Sequence, residues 1–266
     1  MCTVVVLRRP HHPWPLILAA NRDELADRPW TSPGRHWPEQ SGVVGGLDVL
    51  GGGTWVAMND DGVIAAVLNR INTLGPLAGR RSRGELPLRV LRHACARAAA
   101  DALGDLDPYG YRPFNLVICD AEEAFFVRAT DGSEAGTRAG LRIEAIPVGL
   151  SMVTAYDRND LRSPRIRRYL PCLQKAPAPQ PDRRNWRAWT ALLACRDTDA
   201  DAGPGGAMTV ITDTGFGTVC SSLMALPRRS ESDGARDGQR TEGRHAVWLF
   251  AAGPPAHDAF VPVPLT

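Results

Sequence analysis

Met1-Cys-Thr-Val-Val-Val-Leu7 and Leu16-Ile-Leu-Ala-Ala-Asn-Arg-Asp-Glu24 are two strongly apolar runs separated by the proline-containing segment 8–15. The pattern predicts an antiparallel hairpin. If Leu7 pairs with Leu16, the registry sets Cys2 opposite Asn21, with Arg22, Asp23 and Glu24 just past the strand end. A thiol, a guanidinium and carboxylates then gather at one end of one sheet. With Met1 trimmed, Cys2 also carries the chain's α-amine, whose ordinary pKa of about 7.7–8.0 leaves a useful neutral fraction near neutrality. Such an amine can take the thiol's proton, directly or through one water, with no need for a histidine. A carboxylate there can hold the amine, and an arginine can lower the thiol's pKa.

A second hairpin is predicted from Thr54-Trp-Val-Ala-Met58, the turn Asn59-Asp-Asp-Gly62, and the run Val63 to Leu68. Pairing Met58 with Val63 places Asn69 opposite Gly52. A side-chain amide is what the oxyanion of a thiol-attacked amide needs, and Gly52 and Gly53, lacking side chains, let a substrate approach the backbone. Further along, Ser82 and Glu85 have capping-box spacing, which predicts a helix running to Leu103. A third hairpin is expected at Phe114 to Cys119 and Ala124 to Val127, with strand pattern resuming at Leu141 to Ile146. Helices are expected at Arg158 to Leu170 and Trp186 to Cys195, and strands at Met208 to Thr212, Ser221 to Leu226 and Val247 to Ala251. The polar run 228–243 reads as a mobile surface loop. Hairpins at both ends with helices between predict an α+β fold, one domain over 1–266.

Composition narrows the chemistry. The 266 residues carry 31 basic and 29 acidic side chains, a net charge of +2, without the electrostatic footprint of a nucleic-acid binder. Lys175 is the sole lysine, so Schiff-base and P-loop chemistry have one candidate, and no glycine precedes it in the spacing of a phosphate loop. The six cysteines are dispersed with no CxxC pair, and no metal-binding motif is present, so neither metal nor other cofactor is expected. Val4 to Leu7 is too short for a signal-peptide core, and no apolar run approaches the ~18 residues of a membrane span, so the expected location is cytoplasmic. The arginines at 158, 162, 165, 167 and 168 read as a solvated helix face.

Met1-Cys-Thr3, Ala20-Asn-Arg-Asp-Glu24, Gly52-Gly-Thr-Trp55 with Asn59-x-x-Gly62, Asn69-Arg70, Ser82-Arg-Gly-Glu-Leu86 and Phe114-Asn-Leu116 together resemble the NRDE family, the transport and Golgi organisation protein two-like proteins. The likeness runs over about residues 1 to 170. That family is in turn similar to N-terminal-nucleophile hydrolases of the choloylglycine hydrolase and penicillin V acylase type. The resemblance implies a four-layer αββα sandwich of two antiparallel sheets. It implies Cys2 as nucleophile, Asp23 beside the amine and Asn69 at the oxyanion, with Arg22 and Asn21 adjoining them and Thr3, Gly52, Gly53 and Ser151 on the substrate side. The acylase arginine usually lies three residues before its aspartate, whereas Arg22 is adjacent to Asp23. Relatives often show Leu-Ser-Asn where this chain has Leu150-Ser-Met152, so a second catalytic amide is missing, and only a rearranged loop would let Asn159 replace it. The implied activity is hydrolysis of a small, non-peptide acyl-amide bond. The alternative is a non-catalytic carrier or trafficking factor for haem or acyl lipids on the same fold.

Overall fold

The computed structural model describes residues 2–134, 138–228, 244–255 and 259–265. Its strands form two antiparallel sheets. The first contains β1 (Thr3–Arg8), β2 (Leu16–Leu25), β10 (Gly149–Val153), β11 (Phe216–Leu226), β12 (Val247–Ala251) and β13 (Val261–Pro262), in the order β10-β1-β2-β11-β12-β13. The second runs β3 (Trp30–Gly34), β4 (Val43–Asp48), β5 (Val56–Asn59), β6 (Ile64–Asn69), β7 (Phe114–Cys119), β8 (Ala124–Thr130) and β9 (Gly140–Ala145) in sequence order. The helices are α1 (Glu85–Val90), α2 (Ala96–Asp101), α3 (Pro164–Lys175) and α4 (Arg187–Leu193).

Three apolar layers hold these elements together. Val4, Val6, Leu16 and Leu18 of the first sheet meet Ile64, Ala66, Leu68 and Phe126 of the second in the central layer. The alternate residues Val5, Ile17 and Ala19 point outward against Ile166, Tyr169 and Trp189 of α3 and α4. On the far side, Ala65, Leu116 and Ile118 meet Leu86 and Val90 of α1 and Ala99 of α2. Both faces of each sheet are thus covered, which explains why the central strands read as nearly unbroken apolar runs rather than alternating ones. The result is the αββα sandwich.

Several local expectations change. Leu7 pairs with Ile17, not Leu16, so Thr3 faces Asn21 and Cys2 falls level with Arg22. The segment 9–15 closes as a loop through Arg9 N–H donating to Pro15 O, a geometry that leaves Leu16 to pair with Arg8. Met58 likewise pairs with Ile64 rather than Val63. The helix expected from Ser82 to Leu103 is two short helices, with Gly84 and Cys95 at their N-caps. The helix expected at Arg158 begins instead at Pro164, where Ser163 caps it by accepting from Ile166 N–H. The segment 208–212 makes only an isolated bridge, Ile211 to Gly217, because Thr209 and Val210 are engaged by α4 and by Thr218. The strands β3, β4, β10 and β13 lie where the sequence pattern predicts none. Of the polar run 228–243, all but Arg228 lies outside the described residues.

Candidate active site

The site is built where β1 begins and β2 ends. Strand alternation puts Cys2 and Arg22 on the face between the sheets, and Thr3, Asn21 and Asp23 on the face toward α3 and α4. The Cys2 thiol is half-buried and lies 3.7 Å from the backbone carbonyl of Asp23, to which it donates. Burial pushes this thiol above its ordinary value, and the Asp23 carboxylate adds to the rise while the Arg22 guanidinium opposes it. The cleft beside the thiol is narrow, about 10 Å³, close to the space of one water molecule.

Behind the thiol, Asp23 is locked. Its carboxylate accepts from Arg165 at 2.9 Å and from the Thr218 hydroxyl at 2.6 Å. Arg165 also donates to the Thr3 hydroxyl at 2.6 Å and to Gly205 O at 3.1 Å. Arg165 and Asp23 are 0% and 1% exposed, so this is a buried ion pair flanked by the Thr3 and Thr218 hydroxyls and the Gly205 carbonyl. Asn21 is equally committed: its amide donates to Leu193 O and Met208 O, and its oxygen accepts from Ser221. Asn21 therefore ties β2 to α4 on the face away from the thiol.

On the other face, Arg22 is 5% exposed, and its guanidinium carbon sits over the Trp55 ring, 4.2 Å from its centroid. Trp55 is packed edge-on to Trp30, and Gly46 makes room for it, since a Cβ there would sit 2.2 Å from the ring. Leu68 lines the cleft, and Asn69 follows it at the end of β6, half-buried and with no side-chain hydrogen bond among the described residues. Arg83 stands near the same opening and donates only to neutral oxygens, those of Thr73, Pro113 and Gly75. Burial lowers its pKa to about 10, with Arg112 acting in the same direction.

The remaining expected residues are placed elsewhere. Ser151 pairs with Val6, four residues along β1 from Cys2, and accepts from Arg158. Gly53 packs against the backbone of Gly84, where a Cβ would come within 2.3 Å, and Gly52 has φ +67° and accepts from the Trp37 indole. Met152 is buried against the α3 layer. Asn159, with φ 57°, accepts from Met152 N–H through its side chain and donates its own N–H to Met152 O. It staples the chain after β10 to that strand, so its amide oxygen is occupied.

Arg165 and Thr218 are the residues that motif reading missed. The arginine cluster divides: Arg162, Arg167 and Arg168 pair with surface carboxylates, while Arg165 is buried. One signal was available, because Arg165 shares the stripe of Ile166, Tyr169, Leu170 and Leu173, the buried face of α3. No cluster of three or more metal-ligating side chains occurs among the described residues. Nor is any helix among them long and apolar enough to cross a membrane.

The model of the Transport and Golgi organisation 2 family matches residues 1–151. A Transport and Golgi organization protein 2 homolog of Bos taurus is 34% identical over 110 residues, 40% of this chain and 38% of that protein. The homolog of Homo sapiens is 31% identical over 112 residues, 41% and 40% of the two chains. The matched segment thus spans about two fifths of the length of these relatives. Among solved structures, a Caenorhabditis elegans N-acylethanolamine-hydrolyzing acid amidase ortholog gives a TM-score of 0.48 at 14% identity, covering 87% of this chain and 95% of that one. A C2A mutant of the conjugated bile acid hydrolase from Clostridium perfringens gives 0.48 at 11%, covering 99% and 97%.

Proposed function

We propose that this chain, which belongs to the Transport and Golgi organisation 2 family, is an N-terminal-cysteine amidohydrolase acting on a small, non-peptide acyl-amide bond. The observation that carries the reading is the lock behind Cys2: a buried Asp23 fixed by Arg165 and Thr218, with its backbone carbonyl receiving the thiol. That lock supports a role in positioning the terminal residue rather than in shedding or gaining protons.

With Met1 removed, the α-amine of Cys2 takes the thiol proton as sulfur attacks the amide carbonyl. Burial disfavours the thiolate, which gives the base on the same residue a proton to remove as the sulfur attacks. The carbonyl oxygen gains the charge, and the Asn69 amide at the end of β6 donates to it. The ammonium then protonates the leaving nitrogen as the C–N bond breaks, leaving an acyl thioester on Cys2. Water, deprotonated by the same amine, attacks the thioester and releases a carboxylic acid and the free thiol.

Intact-protein mass spectrometry after incubation with mixed acyl amides and electrophiles tests this. The expected result is loss of Met1 together with acylation of Cys2; a retained Met1 overturns the reading, since the general base is then absent. A carrier on the same fold is the second reading. It is favoured by one observation, that the amide side chain lining the cleft among the described residues is that of Asn21, whose N–H groups are already given to Leu193 O and Met208 O. A Cys2→Ala variant that loses all turnover favours the enzyme, and one that binds ligand unchanged where the wild type shows no turnover favours the carrier. We extend the reading to a single catalytic unit over 1–266, because β1 and β13 belong to one sheet.

A further inference from the structure

Arg22 is compensated unlike its buried neighbours. Arg165 and Arg70, 0% and 2% exposed, each have a carboxylate within 3 Å. Arg22 is 5% exposed, yet no carboxylate lies within 4 Å of it among the described residues, and its Nη1 is buried without a hydrogen-bond partner. Stacking on Trp55 supplies part of the missing solvation, but a ring face offers no acceptor to an N–H in the guanidinium plane. The ring is itself fixed, by Trp30 at 5.8 Å and by the space over Gly46, so the guanidinium is held in place before any ligand arrives. It faces the cleft that also holds the Cys2 thiol, with Arg83 close enough to that thiol to be felt electrostatically. A buried cation with an idle donor, on a residue lining a cleft beside a thiol, is a site for an anionic oxygen.

We propose that Arg22, seated on Trp55 beside Cys2, is a carboxylate subsite, and that the molecules processed here carry a carboxylate within a few bonds of the carbon that Cys2 attacks. The identity of the substrate rests on the amidohydrolase reading; the subsite itself does not.

Two alkylating reagents of nearly equal shape separate these parts. Iodoacetate and iodoacetamide both react by displacement of iodide by the thiolate sulfur, with the thiol proton lost to base, and differ in carrying a carboxylate or a neutral amide. Each is applied to the mature protein, and adducts are counted by peptide mass spectrometry at Cys2 and at the exposed Cys172, which serves as an internal reference. The expected iodoacetate-to-iodoacetamide rate ratio at Cys2 exceeds that at Cys172 by about tenfold, the effect of one charge-assisted hydrogen bond. Equal ratios at the two cysteines overturn the subsite, and this comparison needs no variant. Arg22→Gln, checked for folding by its melting transition, is expected to bring the Cys2 ratio to that of Cys172; an unchanged ratio also overturns it. In a parallel arm, an N-acylglycine is compared with its neutral glycinamide, and about tenfold higher kcat/KM is expected for the charged substrate. Equal turnover of the two overturns the carboxylate preference. Turnover of neither, with the alkylation ratio still raised at Cys2, overturns the amidohydrolase reading and upholds the subsite.

Discussion

Arg165 and Arg70 are buried at the same end of the sandwich, one behind the first sheet and one on the second, and they are compensated in different ways. Arg165 meets a single carboxylate, Asp23, with both side chains within 1% of complete burial. Arg70 meets two, Glu134 at 2.6 Å and Asp157 at 2.7 Å, and these are 14% and 28% exposed. Its Nη1 also donates to Asn115 at 2.6 Å, and Asp157 is shared with Arg128. The first cluster is dry, and it fixes the strand pair bearing Cys2 to α3. The second is redundant and partly wet, and with Asn115 donating to Thr154 O and Tyr156 O it pins the loop after β10 to the second sheet. The difference teaches that rigidity here is concentrated behind Cys2, while the opposite wall tolerates loss of a partner.

Removing Arg165 tests that contrast most severely. Arg165→Met leaves Asp23 buried and short of its cation, so a loss of about 3–5 kcal/mol is expected in urea unfolding. The double variant Asp23→Asn with Arg165→Met is expected to lose less than the two single changes added together. Additive losses would show that the pair is not coupled. Arg70→Met is expected to cost less, about 1–3 kcal/mol, because Asp157 keeps Arg128 and its carboxylate reaches water. If Arg70→Met proves as damaging as Arg165→Met, the second cluster is not redundant. Thr218→Val removes a donor to Asp23 and the acceptor of Val210 N–H, with an expected cost of about 1–2 kcal/mol that Thr218→Ser recovers in large part. Failure of the serine to recover stability would assign the effect to packing.

The smallest effect is on alkaline stability. Burial raises the thiols of Cys2, Cys119 and Cys220 above the ordinary 9.0. Above that pH the unfolded chain sheds these protons while the folded one keeps them, so stability is fully present below about pH 9 and falls as pH rises beyond it. Urea midpoints under reducing conditions at pH 7.5 and 9.5 measure the fall, and Cys119→Ala is expected to lessen it.

How much of this was legible follows from where each signal resides. The layers were readable because burial on both faces leaves unbroken apolar runs such as Leu16 to Ala20, and Cys2, Arg22 and Asp23 were found because the hairpin brings them together locally. The exact registry was not, since the segment 9–15 has no fixed turn signature and a shift of one residue keeps its composition. The strands β3 and β4 are short, and the glycines at 34, 45 and 46 leave little side-chain periodicity to detect. Arg165 and Thr218 lie 142 and 195 residues from Asp23, and nothing in the local sequence records such an approach. The opposite faces of Arg22 and Asp23 could have been read from alternation alone, but the two were treated as one cluster because they are adjacent in the chain.

The sheet order β10-β1-β2-β11 has a consequence in time as well as in space. The first strand has both neighbours only after residue 153 has been made, and Asp23 has its hydroxyl donor only after residue 218. During synthesis β1 therefore has only its hairpin partner β2 until residue 153 has been made, and Cys2 enters its finished environment only after residue 218 has followed.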